Sequence, residues 1–111
     1  MKNEHLGQFE LMAMLAVLRR RNDAYGLEIQ AELKKKTRRE YAVGQIYTTL
    51  ARLEERKLVT SRLGDQHSDR LGRPRRYFQV TNAGIEAIND TQHALRKLTS
   101  GLEPSFGIAG S

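Results

Sequence analysis

Two groups of side chains in this 111-residue chain are of types that grip anions or read base edges. The first lies in "GRPRRYFQVTNAG", residues 72–84. There Arg73, Arg75 and Arg76, with Arg70 just before them, surround a glycine and a proline and give way to an aromatic, β-branched run. The guanidinium is a planar fork of N–H donors that matches phosphate and is favoured in narrow minor grooves. Pro74 fixes one φ angle beside it, so the charge sits on a stiff stem. The second group lies in "GQIYTTLAR", residues 44–52. Gln45 carries an amide that pairs bidentately with adenine, Thr48 and Thr49 offer hydroxyls and methyls, and Arg52 reaches a base edge or a phosphate one turn on. Tyr47 lies beside them. Ile46, Leu50 and Leu53 must point inward, so the polar residues between them are expected to face out.

Both groups need elements to position them. Residues 6–21, "LGQFELMAMLAVLRRR", predict a first helix with Leu11, Met14, Leu15 and Leu18 as its stripe. Its terminal arginines complement the negative end of the helix dipole. Asn22-Asp23 breaks that pattern and offers a cap to a second helix, "AYGLEIQAELKKKT", with Tyr25, Ile29 and Leu33 every fourth residue. Lys34, Lys36, Arg38 and Arg39 at its end are either further phosphate contacts or plain solvated charge. "VGQIYTTLARLEERK" reads as a third helix. "LVTSRLG" and "RRYFQVT" read as two strands joined by a ten-residue polar loop, a hairpin with a long tip. Thr81 caps a fourth helix in which Ile85, Ile88, Leu95, Leu98 and Leu102 form an interrupted seam, with Glu86 near its positive end.

Three helices, a hairpin and a last helix make a mainly α fold with a small β-hairpin, the parts of a winged helix-turn-helix. The third helix then enters the major groove with its N-terminal residues toward the bases, and the hairpin tip lies over backbone or minor groove. Residues 6–81 are expected to form the DNA-binding domain, 82–102 a further C-terminal helix and 103–111 a flexible tail. Lysine and arginine number 19 against 13 acids, a net charge of +6, which favours double-stranded DNA as partner. A chain of this size buries roughly 65% of its unfolded surface, so pairing into a homodimer is a natural way to add core.

The same inventory excludes other classes. The chain has no cysteine, so no disulfide and no thiolate metal site is expected. Asp65, His67 and Asp69 lie close in sequence, but alternating side chains on a loop do not preorganise a metal site. No phosphate-binding glycine loop and no nucleophile with a base stands out, so neither an enzyme nor a cofactor is expected. No apolar run spans a bilayer and the basic residues do not oppose an apolar face, which argues against a membrane and for the cytoplasm. The rival reading is a winged helix that binds protein or RNA; the outward polar residues and wing cations weigh against it.

The quoted segments resemble the PadR family of bacterial transcriptional regulators over roughly residues 8–100. "YGLEI" at 25–29 is similar to its Tyr-Gly-x-x-Ile, "GQIYTTLARLEERKLVTS" at 44–61 to its Gly-x-x-Tyr-x-x-Leu-x-Arg-Leu-Glu run, and "GRPRRYFQVTNAG" to its wing and following turn. The resemblance implies a dimer joined through the fourth helix, recognition of an inverted repeat, and repression. It also implies, for some members, release of DNA by a small aromatic or drug-like effector. No tryptophan is present, so an effector sandwiched between indoles is ruled out. Lys57 stands where the family has glycine, so a strained backbone or an altered turn is expected there. "AVG" replaces the usual Ser or Thr before the third helix, leaving Gly44 as the expected cap.

Overall fold

The computed structural model describes residues 5–68 and 74–102, with the backbone alone for 65–68. The elements run α1 (Gln8–Arg19), β1 (Ala24–Tyr25), α2 (Gly26–Thr37), α3 (Val43–Glu55), β2 (Val59–Ser68), β3 (Pro74–Val80) and α4 (Asn82–Thr99). The strands form one antiparallel sheet in the order β1-β3-β2. This is a winged helix-turn-helix with an added C-terminal helix. Met14, Val17, Ile29, Ile46, Leu50, Leu53 and Val59 are fully covered, and Phe78, Val80, Ala87 and Ile88 close the core from β3 and α4.

Local chemistry explains where the elements depart from the periodicity. The stripe expected on α1 is rotated. Ala13, Met14, Ala16 and Val17 are buried, while Leu11, Leu15 and Leu18 are only half-covered. Small side chains sit where α1 packs closest to its neighbours. The second helix starts two residues later than its pattern suggests, because Ala24 and Tyr25 pair with Phe78 and Tyr77 as a third strand. The β2 strand continues through Ser68, opposite Pro74, with an irregularity after Leu63. Asp65–His67 have weak β-preference, which is why composition reads them as loop. The α3 helix begins at Val43 with Ala42, not Gly44, at its cap and no side-chain capping bond. Lys57 does adopt a left-handed φ of 64°.

The two polar devices that hold α1 were not visible as pairs in the sequence. Arg19 and Arg20 donate to opposite oxygens of Glu32 on α2, at 2.8 and 2.9 Å. Glu32 is only 6% exposed. Asn22, at φ 54°, turns its amide onto Val80: Oδ1 accepts the Val80 N–H at 2.7 Å and Nδ2 donates to the Val80 carbonyl at 3.2 Å. This side chain extends the short β1 ladder by one peptide-like pair. Asn22→Ala loses both bonds and places an alanine at a positive φ. Its urea midpoint should report a loss of about 2–3 kcal/mol.

The α4 helix is locked at its base. Thr81 accepts the Gly84 N–H at 3.0 Å, as expected of a cap, and donates to the Lys57 carbonyl at 2.8 Å. Glu86 lies just beyond the first turn, which holds no acid. Thr91, one of the polar interruptions in the seam, is buried and accepts the Leu6 N–H at 2.9 Å.

Candidate nucleic-acid interface

The α3 helix buries Ile46, Thr49, Leu50 and Leu53 along one face, the i, i+3, i+4, i+7 spacing of a core stripe. Thr49 was expected to face outward. It is instead 9% exposed, because it falls three residues after Ile46 on the inward face. The opposite face presents Gly44, Gln45, Thr48 and Arg52 to solvent. The side chains of Gln45, Thr48 and Arg52 have no partner among the described residues. Their donors and acceptors are therefore uncommitted. They line an open groove of about 490 Å3 whose other wall is the start of α1 at Gly7, Phe9 and Glu10.

Tyr47 has a more structural setting. Its ring meets Phe78 of β3 at 5.9 Å, and a methyl group placed on Gly26 would stand 2.6 Å from its hydroxyl. Gly26 opens α2, so the absence of a side chain there seats Tyr47 against the helix start. That contact fixes α3 against both α2 and the wing. Tyr47 remains 38% exposed.

The wing places its described arginines on opposite faces, as strand alternation requires. Arg75 lies over the Tyr25 ring at 4.2 Å. Arg76 donates to Ser61 Oγ at 2.9 Å, and Ser61 donates in turn to Glu54 of α3. Arg70 and Arg73 lie outside the described residues, as do Asp69 and the side chains of Asp65 and His67. Sequence reasoning did not single out Arg62, which pairs with Asp23 at 2.8 Å and covers the Tyr77 ring at 4.7 Å.

At the end of α2 and in the turn that follows, Lys34 pairs with Glu40 at 3.5 Å while Lys36, Arg38 and Arg39 are exposed. Arg39 lies 5.8 Å from the Tyr41 ring, which itself packs at a tilt against Phe9 of α1 at 4.9 Å. Ile85, Leu95 and Leu98 on α4 are exposed, Leu98 at 74%, and so is Leu102, which lies beyond the helix because α4 ends at Thr99 and not at 102 as expected. Ile88, expected on the same seam, is buried in the core of its own chain. Among the described residues no group of acids and histidines could hold a metal ion, and no helix is long and apolar enough to cross a membrane.

Comparison with known proteins places this geometry. The model of the transcriptional regulator PadR-like family matches residues 14–90. A PadR-like transcription factor from Bacteroides fragilis superposes with a TM-score of 0.71 at 25% identity, over 86% of this chain and 87% of that one. A PadR family regulator from Clostridium difficile R20291 gives 0.69 at 23% identity, over 91% and 100%. One from Eggerthella lenta gives 0.68 at 22%, over 87% and 82%. No curated protein matches the sequence.

Proposed function

Because the chain belongs to the PadR-like family of transcriptional regulators, we propose that it acts as a homodimer that binds an inverted repeat in double-stranded DNA and represses transcription there. The observation that carries this reading is the row of uncommitted polar side chains on α3, Gln45, Thr48 and Arg52. A helix surface that keeps an amide, a hydroxyl and a guanidinium free of internal partners is suited to base edges. Tyr47 is packed against Phe78 and the start of α2, and Thr49 is largely buried beneath the groove, so both take smaller parts.

Positive charge flanks the row on two sides. Arg70, Arg73, Arg75 and Arg76 of the wing hold backbone or minor groove, and Lys36, Arg38 and Arg39 face the phosphates beside the start of α3. Lys34, engaged with Glu40, contributes less. The exposed Ile85, Leu95, Leu98 and Leu102 are the surface through which two copies join. A dimer of this kind sets its recognition helices about 34 Å apart, one turn of B-DNA.

Gln45→Ala should weaken the preferred duplex by about 1–3 kcal/mol and relax preference at one base position, with little change in thermal stability. Fluorescence anisotropy against duplexes varied at single positions reads both effects. A uniform loss across all duplexes would remove Gln45 from the base-reading set.

A further inference from the structure

The turn between α1 and α2 touches the root of the wing at several points. Arg21 and Asn22 adopt positive φ angles of 63° and 54°, and this left-handed pair turns the next polar groups toward the strands. Asn22 holds the Val80 backbone. Asp23 accepts two bonds from Nη2 of Arg62 on β2, at 3.0 and 2.8 Å. From there a line of two rings flanked by two cations crosses the sheet. Arg62 lies over Tyr77 at 4.7 Å, Tyr77 meets Tyr25 edge-on at 5.5 Å, and Arg75 lies over Tyr25 at 4.2 Å. Arg62 comes from β2, Tyr77 and Arg75 from β3, and Tyr25 from β1, all on the sheet face opposite Phe78 and Val80.

The line adds little to stability. The Asp23 and Arg62 side chains are substantially exposed, and ion pairs and cation–ring contacts at the surface are weak. Its geometry has a different consequence. Tyr25 immediately precedes Gly26, on which Tyr47 of α3 is seated, so the wing and the recognition helix share one anchor. From Arg62 to the far end of β2 the hairpin extends about 20 Å. A rotation of about 10° at its root moves the tip by about 3.5 Å, close to one nucleotide step along a strand.

We propose that Asp23, Arg62, Tyr77, Tyr25 and Arg75 form a positioning device that sets the angle of the wing relative to α3, and through it the sequence preference. The inference rests on the DNA-binding reading above. Asp23 and Tyr25 act through the wing and need not touch DNA themselves. Charge and position make opposite predictions for Asp23→Asn. That change makes the chain more positive, so charge alone favours tighter binding to any duplex.

The test starts with duplexes enriched from a random library by the full-length wild type, measured by anisotropy beside shuffled controls. Asp23→Asn should lose about tenfold on the enriched duplex while holding or gaining on the control, and Asp23→Glu should recover most of the loss. Tyr25→Leu, which keeps apolar bulk, should repeat the loss of preference; melting curves identify any variant that fails to fold. In the free protein, the Arg75 methylene protons should be shifted upfield by the Tyr25 ring and return toward ordinary positions in Asp23→Asn. Tighter binding of both duplexes by Asp23→Asn, or an unshifted Arg75 in the wild type, overturns the device alone. A wild type that enriches no duplex fails the DNA-binding reading, and this inference with it.

Discussion

Replacing Gly84 by alanine should cost about 3 kcal/mol or more of stability, a large fraction of a domain total of order 5–15 kcal/mol. A Cβ at that position would stand 2.2 Å from the Leu58 carbonyl oxygen, 2.7 Å from Val80 Cγ1 and 3.0 Å from Met14 Cε. The methionine can yield and the valine can in part. The carbonyl cannot, because it belongs to the start of the wing and accepts the Thr81 N–H at 3.0 Å. The α4 helix would have to withdraw, weakening the Thr81 cap and uncovering Ala87 and Ile88. Overpacking alone typically costs about 1–3 kcal/mol, and here a cap and buried apolar surface are lost with it. Thr81→Ala, which removes the cap but adds no atoms, should cost only about 1–2 kcal/mol. Urea denaturation followed by far-UV circular dichroism compares the two. A Gly84→Ala loss below that of Thr81→Ala would mean that α4 does not approach the wing so closely.

The second large effect concerns Glu32, and it is asymmetric. Hydrogen bonds from Arg20 and then Arg19 lower its pKa from 4.5 to about 2, against the opposing pull of burial. Removing both arginines strands a buried carboxylate, and Arg19→Ala with Arg20→Ala should together cost about 3–5 kcal/mol at neutral pH. Glu32→Gln leaves two arginines that already reach water, with side chains 54% and 33% exposed, and should cost less, roughly 2–3 kcal/mol. The pH dependence has a definite sign. The folded pKa lies below the unfolded one, so the stabilisation is complete above about 4.5 and is lost as pH falls through about 2. The lowering corresponds to roughly 3 kcal/mol. The gap in urea midpoint between wild type and Glu32→Gln should therefore be widest near pH 6 and shrink toward pH 2.5. A gap that stays constant over that range would show that Glu32 is not held ionised by the two arginines.

The helix-strand order was legible because periodicity survives where burial is one-sided. Ile46, Leu50 and Leu53 and the alternation through Tyr77, Phe78 and Val80 mark their faces by themselves. Thr81 likewise announces a cap by its type and place. What could not be read were features that depend on residues far apart in sequence. Ala24 and Tyr25 become a strand only because β3 lies beside them, and Asn22 is a turn residue by composition yet completes that strand's pairing. Glu32 reads as a solvated helix acid until α1 brings Arg19 and Arg20 over it. Thr49 shows the limit of a rule that polar side chains face out. Its methyl and hydroxyl tolerate burial, and its spacing from Ile46 decides its face. Ile88 is the reverse case, an apolar residue assigned to a partner's surface that its own core absorbs. On α3, the outward placement of Gln45, Thr48 and Arg52 was legible because outward polar side chains follow directly from an inward apolar stripe. Arg62 was not, since its importance lies in Asp23 and Tyr77, not in its neighbours along the chain.

Whether α3 and the wing together read DNA sequence is decided by equilibrium binding to two duplexes. Fluorescence anisotropy would compare the duplex most enriched by the protein from a random library with a shuffled duplex of equal length, each at low and near-physiological salt. A preference of about 10³ or more that persists when salt is raised is expected, with both affinities falling as phosphate contacts are screened. Equal affinities that salt abolishes would contradict it, leaving a basic surface that binds any polyanion.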